Sequence, residues 1–341
     1  MTTVTAAVGY FEPWYIQIIK GIVIFAVGLQ MVPLVLLAER KLLGRFQHRY
    51  GPNRVGPFGA LQPLADIGKL LFKEQSRPTT SIGFLFIIAP LISILTAVAA
   101  FAIIPFSDTV DIFGTQVGLY GIDPSIGILY AFAFGGLAFY GLMLGGWASG
   151  SKFSFLGAMR SAAQLISYEV SQGLALVGVL MMAGTLSMTE IVHAQMDGTW
   201  YVLPQIVGFI IFLIAGFAET NRAPFDLPEA DAELVQGYAT EYGGGRFASF
   251  YFAEYLNILV VSGIATTMFL GGWDVPIWDE PGWIHPFVVI FKMWLFVFFF
   301  IWIRATLPRL RYDQLMSLGW KILLPLATVN ALVTAIIVAL D

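Results

Sequence analysis

The amino-acid sequence predicts an all-α integral membrane protein with about eight transmembrane helices, one in-plane amphipathic helix and one acidic loop. Of its 341 residues, 58% are hydrophobic and only 12% are charged, and the mean hydropathy is +0.79. A soluble domain of ordinary composition has about 25% charged residues. A chain with so few charges is expected to have lipid as its main solvent.

Eight apolar segments are long enough to cross a bilayer, which takes about 20 residues. They cover residues 14–38, 81–106, 125–148, 160–185, 201–219, 249–272, 284–303 and 318–340. An even number of spans places both termini on the same side of the membrane. We treat residues 1–341 as a single polytopic membrane domain.

The basic residues indicate the orientation, because Lys and Arg accumulate in cytoplasmic loops. Every Lys and Arg except Lys20 and Lys292 lies in alternate connections, beginning with the connection that follows residue 38. We therefore expect periplasmic termini in a bacterial inner membrane, or termini in the intermembrane space if the chain is mitochondrial. Lys20 and Lys292 lie near the outer ends of spans, where snorkelling to water is expected.

The composition argues against a redox cofactor held by this chain. The sequence has no cysteine, which excludes thiolate-ligated iron–sulfur clusters, and its three histidines are scattered. Residues 243–248 fit the pattern G-x-G-x-x-A, but they open a span and follow no strand, so no NAD site is predicted there. No metal site is predicted, and any electron carrier would belong to a partner protein.

Residues 60–74 predict an amphipathic helix that lies in the cytoplasmic interface of the membrane. Its polar stripe, at steps of four, three and four residues, consists of Gln62, Asp66, Lys69 and Lys73. One interpretation is a simple membrane anchor. The other is the lintel of a lateral opening, through which an amphiphilic ligand dissolved in the lipid enters and passes Asp66.

The connection at residues 219–248 is acidic, although the other connections on that side are basic. Its carboxylates, which extend into the next span, are Glu219, Asp226, Glu229, Asp231, Glu233, Glu241 and Glu254. Pro224 and Pro228 forbid one continuous helix, so the segment should fold back and bring acids together. Crowded acids raise one another's pKa, which favours proton handling near neutral pH. A solvated loop that binds a basic partner surface is the alternative.

Glu169 lies inside the fourth predicted span. Its position nine residues after Arg160 corresponds to about 13 Å, close to the middle of the membrane. An ionised acid there costs about 2.5–3.5 kcal/mol, so such residues usually face the bundle interior or water. Proton transfer is the functional interpretation, and a structural hydrogen bond between spans is the alternative. Together with Glu39, at the inner end of the first span, these acids outline a polar path into the bundle.

Two long runs make the sequence recognisable. GPNRVGPFGALQPLAD (51–66) and ETNRAPFDLPEADAELV (219–235), with AERK before the first and AEY after the second, resemble the H subunit of proton-pumping NADH:quinone oxidoreductase, or respiratory complex I. The mitochondrial counterpart in that family is subunit 1 of the organelle-encoded set. The resemblance extends over essentially the whole chain.

The resemblance implies a subunit that forms the entrance and tunnel for ubiquinone or menaquinone and transfers protons. By motif it implies proton transfer at Glu39, Asp66, Glu169, Glu219, Asp226, Glu229, Asp231, Glu233 and Glu254, and a quinone tunnel at Arg40, Asp66, Arg222 and Phe225. It also implies that flavin and iron–sulfur clusters are held by partner subunits. The expected partners are peripheral quinone-site subunits, antiporter-like membrane subunits and lipid, with no nucleic acid.

Two other functions remain open from the sequence. A homologous subunit of an energy-converting hydrogenase or formate-oxidising complex would have different redox partners, and the quinone-type motifs argue against it. A stand-alone proton-coupled transporter would be expected to show an internal repeat with paired broken helices. The sequence contains no recognisable repeat of that kind.

Overall fold

The computed structural model describes residues 13–112, 115–228, 231–276 and 282–340. In chain order its helices are α1 (Trp14–Phe46), α2 (Gln62–Phe72), α3 (Gly83–Phe101), α4 (Gly127–Ala148), α5 (Lys152–Ala183), α6 (Met188–Met196), α7 (Ile206–Glu219), α8 (Asp231–Leu234), α9 (Gly244–Phe269), α10 (His285–Thr306), α11 (Tyr312–Ser317) and α12 (Leu324–Leu340). Among the described residues, the strands are an antiparallel pair, β1 (Thr109–Ile112) and β2 (Thr115–Gly118). The predicted all-α membrane fold is confirmed.

Seven helices are long and apolar enough to cross a membrane within the described residues. Six are α1, α3, α4, α5, α9 and α10, and the seventh is the continuous helix from α11 through a π-helical turn, Leu318–Leu323, to α12. We call the end of the bundle that carries α2 and residues 219–248 the inner end. The end that carries β1, β2 and α6 is the outer end.

The fifth predicted span, 201–219, contains a shorter helix than expected. Its helix, α7, has 14 residues and is about 21 Å long, which is less than a hydrocarbon core of about 30 Å. At the outer end, the backbone N–H of Val202 donates to the carbonyl of Phe269, the last residue of α9, at 3.0 Å. Because α9 has 26 residues, about 39 Å, the inner end of α7 lies recessed beside it. The following loop folds back into this recess.

The fourth predicted span begins earlier than expected. α5 starts at Lys152 rather than at residue 160, directly after a turn at Gly150. Gly150 has a φ of +67°, and a side chain there would lie 2.9 Å from the carbonyl oxygen of Thr80, so the turn requires glycine. The helix has 32 residues. Glu169 is consequently 17 residues after the start of α5 and in the middle of that helix, rather than nine residues from its start as predicted.

The amphipathic helix forms close to its predicted bounds, since α2 lies within residues 60–74. Its polar side faces α1, where Asp66 forms an ion pair with Arg40 and accepts a hydrogen bond from Gln62 at 3.0 Å. Its apolar residues point away from the bundle, and Leu64 and Phe72 are 55% and 92% exposed. This arrangement suits a helix that lies against the bundle with one side toward lipid.

Contrary to expectation, the side chain of Lys292 does not extend to water. Its side chain is buried, and Nζ donates to the carbonyls of Leu270, Gly272 and Asp274 at 2.7, 2.9 and 2.6 Å. These carbonyls belong to residues that come directly after the last turn of α9. At a helix end, such carbonyls have no partners within the helix. Lys292 therefore caps the outer end of α9 from the neighbouring helix α10.

A histidine–aspartate pair joins α6 to the segment before β1 at the outer end. Nε2 of His193 lies 3.2 Å from Oδ2 of Asp108. Its hydrogen bond with Asp108 raises the pKa of His193, and the same bond lowers the pKa of Asp108. Asp123 accepts from the hydroxyl of Ser187 at 3.1 Å and from that of Thr189, which fixes the start of α6.

We predict that Thr109→Cys and Thr199→Cys, at exposed outer positions, react with an impermeant thiol reagent added outside spheroplasts. Ser76→Cys, exposed at the inner end, should not react, and the chain has no other cysteine. Ser107 and Ser187 are also in outer loops, but they are 0% and 4% exposed and are poor reporters. If Ser76→Cys were labelled and the two outer variants were not, the orientation would be the opposite of the one predicted.

We also predict that Asp108→Asn lowers the pH at which diethyl pyrocarbonate modifies His193 to half extent, because only neutral imidazole reacts. With Asp108 present, the raised pKa keeps His193 protonated to a higher pH. Peptide mass spectrometry across a pH series measures the midpoint. An unchanged midpoint in Asp108→Asn would contradict the pairing.

Candidate functional site

A buried cluster of opposite charges lies at the inner end, where residues 219–248 meet α1, α9 and α10. Nε of Arg222 is 2.7 Å from Oε1 of Glu254, and its Nη1 is 3.5 Å from Oε1 of Glu39. Arg304 forms an ion pair with the same oxygen of Glu39. The hydroxyl of Tyr255 donates to Oε2 of Glu39 at 2.6 Å. We call Arg222, Glu39, Glu254 and Arg304 the Arg222 cluster.

Every member of the Arg222 cluster belongs to a different part of the chain. Three of its side chains are nearly inaccessible, with exposures of 7% for Arg222, 5% for Glu39 and 10% for Glu254. Ions buried to this extent are tolerated only when they are paired, because removing each one from water is costly. With two charges of each sign, the cluster is neutral when all four groups are ionised.

The guanidinium of Arg222 is held in its charged form by these neighbours. Burial alone would disfavour the charge, but the carboxylates of Glu254 and Glu39 outweigh burial and raise the pKa of Arg222. The ring of Tyr255 adds a cation–π contact, with its centroid 4.2 Å from Cζ of Arg222. Arg222 is thus a permanent positive charge between two acids.

Gln164 on α5 fixes the start of the acidic loop. Its Nε2 donates to the carbonyls of Ala218 and Phe225, at 2.7 and 2.8 Å. These carbonyls flank residues 219–224, so one buried amide holds both ends of the segment that carries Arg222. The ring of Phe225 packs in the core, 5.6 Å from the ring of Tyr168.

Apart from the Arg222 cluster, two further carboxylates, those of Glu219 and Glu169, lie near each other where α7 ends. Nε2 of Gln172 donates to Oε2 of Glu219 at 2.7 Å. Glu169, on the same helix as Gln172, is near enough to Glu219 to interact with it electrostatically. Two consecutive glycines of α4 face this pair: a side chain at Gly135 would lie 3.3 Å from Glu219, and one at Gly136 would lie 3.3 Å from Glu169. The missing side chains let α4 approach both carboxylates.

A small cavity adjoins Glu219. Its volume is about 20 Å³, and its polar lining residues are Thr96, Gln172, Glu219 and Asn257. A cavity needs about 10–15 Å³, and some polar partners, to hold one water molecule. The space next to the Glu219 carboxyl therefore has the size and polarity for a single water molecule.

The remaining predicted residues lie in different surroundings. Asp226 is near enough to Glu254 to interact with it electrostatically, and so extends the Arg222 cluster toward the loop. Arg40 and Asp66 are paired with each other and are more exposed, with side-chain exposures of 42% and 27%. Glu229 lies outside the described residues, and of Asp231 only the backbone, at the start of α8, is described.

Glu233 differs from the expectation that crowded acids hold protons. It forms an ion pair with Arg160, and this hydrogen bond lowers the pKa of Glu233. Its side chain is 52% exposed. The prediction assumed that the acids of the loop face one another, whereas this one faces a base of α5.

Several residues of the site were not singled out in the sequence. Arg304 completes the Arg222 cluster, but in the sequence it is one of many basic residues of the inner side. Tyr255 belongs to the AEY run, which by itself indicates no role for it. Gly135 and Gly136 carry no chemical signal. Gln164 and Gln172, both polar and within the fourth predicted span, have a pattern that identifies them as residues facing the bundle interior.

We predict that Arg222→Met strongly reduces the amount of assembled protein. Glu254 would be left buried without its arginine, and Glu39 would lose one of its two arginine partners. Breaking a buried ion pair in this way costs about 3–5 kcal/mol. The matched control is Arg160→Met, which removes an exposed pair worth about 0–1 kcal/mol. Native gel yield and thermal melting of the purified assembly measure both. Equal stability of the two variants would show that the Arg222 cluster is not a structural constraint.

Comparisons with known proteins agree with this architecture. A family model described as NADH dehydrogenase matches residues 19–335. The first of the H subunits of NADH-quinone oxidoreductase in Geobacter metallireducens is 51% identical over 326 residues, which cover 95% of this chain and 97% of that protein. The second H subunit of the Geobacter sulfurreducens enzyme is 52% identical over 92% of this chain and 94% of its own. The H subunit of the Thermomicrobium roseum enzyme is 48% identical over 94% of this chain and 96% of that protein. With matches of this extent, the chain belongs to the NADH dehydrogenase family.

Proposed function

We propose that this chain is the membrane subunit of an NADH:quinone oxidoreductase, respiratory complex I, that contributes the quinone entrance and tunnel and couples quinone reduction to proton translocation. The names of the relatives, all quinone oxidoreductase subunits, support this function over a hydrogenase-type complex or a stand-alone transporter. NADH oxidation, flavin and iron–sulfur clusters are assigned to partner subunits. The quinone, ubiquinone or menaquinone, is the substrate.

The observation that carries the proposal is the Arg222 cluster, in which two buried acids lie beside two arginines at the inner end. The Arg222 cluster is neutral only while both of its acids are ionised, so a proton gained or lost there changes the charge of a buried site. The electrostatic energy of such a change is larger in the low-dielectric interior of the protein than in water. Reduction of a quinone takes up electrons and protons, and is the event proposed to change that charge.

The proposed proton path continues from the Arg222 cluster to Glu219 and Glu169. Glu219 is only three residues before Arg222 in the chain, and it ends the recessed helix α7. Its carboxyl adjoins the water-sized cavity and interacts with Glu169 in the middle of α5. Buried acids that face a bundle interior are typical of proton relays in membrane proteins. The relay would end at antiporter-like partner subunits.

The proposed quinone entrance lies between α1 and α2. The Arg40–Asp66 pair bridges these helices, and the apolar side of α2 faces outward. A quinone dissolved in lipid would pass the apolar side before it meets this pair. Arg222 and Phe225 are proposed to contribute to the tunnel beyond the entrance. The subunit would lie in a bacterial inner membrane, since the named relatives are bacterial. The concentration of Lys and Arg in the inner connections supports periplasmic termini.

We predict that Glu219→Gln in the assembled complex impairs quinone reduction and proton pumping, because glutamine preserves the size and hydrogen bonding of the side chain but cannot carry the proton. Glu169→Gln should act similarly if the path continues along α5. Turnover with quinone, and acidification by inverted membrane vesicles, measure the effect. Electron transfer from NADH to an artificial acceptor of the peripheral arm should stay nearly unchanged, and controls for assembly.

The control variant is Glu190→Gln, which changes an exposed carboxylate in the first turn of α6 at the outer end. It should be nearly silent in every assay. Full quinone-dependent turnover and unchanged pumping in both Glu219→Gln and Glu169→Gln would mean that these acids are structural or redundant.

A further inference from the structure

The cavity beside the Glu219 carboxyl is lined by residues of α3, α4, α5, α7 and α9. Its polar lining residues, Thr96, Gln172, Glu219 and Asn257, come from four of these helices. The rest of its wall is aliphatic, aromatic or glycine. With a volume of about 20 Å³, the cavity brings these four polar side chains together around a space for one water molecule.

Asn257 differs from the other polar residues of this cavity in its hydrogen bonding. Oγ1 of Thr96 donates to the carbonyl of Ile92 at 2.9 Å, and Nε2 of Gln172 donates to Oε2 of Glu219 at 2.7 Å. Within the part of the chain that the structure describes, the side-chain amide of Asn257 forms no hydrogen bond. An amide donates through its nitrogen and accepts through its oxygen, and inside a protein such groups nearly always have a partner, water included. A water molecule in the cavity would be that partner.

The position of Asn257 on α9 connects the cavity with the Arg222 cluster. Asn257 follows Glu254 by three residues, so their Cβ atoms lie about 5–6 Å apart on one face of the helix. Side chains of a helix lean toward its N-terminus, which for α9 is the inner end, so the amide of Asn257 leans toward the turn that carries Glu254. Oε2 of Glu254 is buried and has no hydrogen-bond partner among the described residues. Asn257 therefore lies between an acid of the Arg222 cluster and the cavity beside Glu219.

We propose that Asn257 is a positioning residue of the proton path: its amide holds one water molecule against the carboxyl of Glu219, and Glu219 exchanges its proton through this water. The inference rests on the proposed function, to which it adds the side chain that holds the water. In the step toward Glu219, the oxygen of the water accepts a proton from the inner side, while one of the original O–H bonds breaks and that proton passes to the carboxylate. The water is regenerated. Asn257 orients the water and does not itself carry the proton.

The test measures quinone turnover by the assembled complex in membranes. Asn257→Leu preserves the size of the side chain but removes both hydrogen-bonding groups, and it should lower kcat about ten-fold, the loss expected for one hydrogen bond to a charged group. The KM for quinone and electron transfer from NADH to an artificial acceptor should stay unchanged, because Asn257 is not part of the proposed tunnel. Asn257→Ser, which keeps a hydroxyl that can hold the water, should recover most of the rate. The matched control is Ser262→Ala, also on α9, where the hydroxyl donates to the carbonyl of Ile258 and does not line the cavity.

A second variant displaces the water without removing a polar group. Ala100→Val adds two methyl groups at the wall of the cavity on α3 and should lower kcat in the same way, so it decides the question if Asn257→Leu does not assemble. Unchanged kcat in these variants, or a loss in Asn257→Leu that Asn257→Ser does not recover, would overturn the inference. If Glu219→Gln lowers turnover and these variants do not, the relay stands and only the role of Asn257 is wrong. A loss in Asn257→Leu without a loss in Glu219→Gln would also overturn it.

Discussion

The guanidinium of Arg222 between Glu39 and Glu254 is the constraint on which the inner half of the structure depends. It joins the acidic loop to α1 and α9, and through Glu39 to Arg304 of α10. The charges of Arg222, Glu39 and Glu254 would not be tolerated there alone, because ions buried without partners cost several kcal/mol each. The folded loop can therefore be stable in the bundle only with its arginine between the two acids. Gln164 supports that placement by holding the backbone on both sides.

This constraint also explains how a small chemical change would affect several helices together. A cluster that is neutral only in one protonation state acquires a net charge when a proton is added or removed, and its members belong to four parts of the chain. The rearrangement that restores neutrality must then involve α1, α9, α10 or the loop. Packed interiors respond to such changes by switching between discrete arrangements rather than by deforming continuously.

The sequence predicted what depends on local pattern. Long apolar segments gave the membrane fold, and the spacing of Gln62 and Asp66 gave α2 almost to its bounds. The sequence also placed Glu169 inside a long helix, although that helix begins eight residues earlier than the count from Arg160 assumed. Pairing partners could not be predicted in this way, since Arg304 is 265 residues from Glu39 in the chain and nothing in its neighbourhood marks it. For the same reason Glu233 was grouped with acids although it faces Arg160, and Lys292 was expected at the surface although distant carbonyls hold it.

The length of α7 was hard to predict, because residues 201–219 are apolar apart from Gln205 and Glu219, while only the last 14 of them form the helix. The recess that results has an electrical consequence. A polar recess is more polarisable than hydrocarbon, so most of the membrane voltage falls across the apolar part of the bundle between Glu219 and the outer side. Moving one elementary charge through the full voltage is worth about 2.3 kcal/mol per 100 mV. A proton that reaches Glu219 from the inner side crosses only a small fraction of that voltage, so its binding there should depend mainly on pH, whereas its onward transfer toward the outer side should depend on voltage.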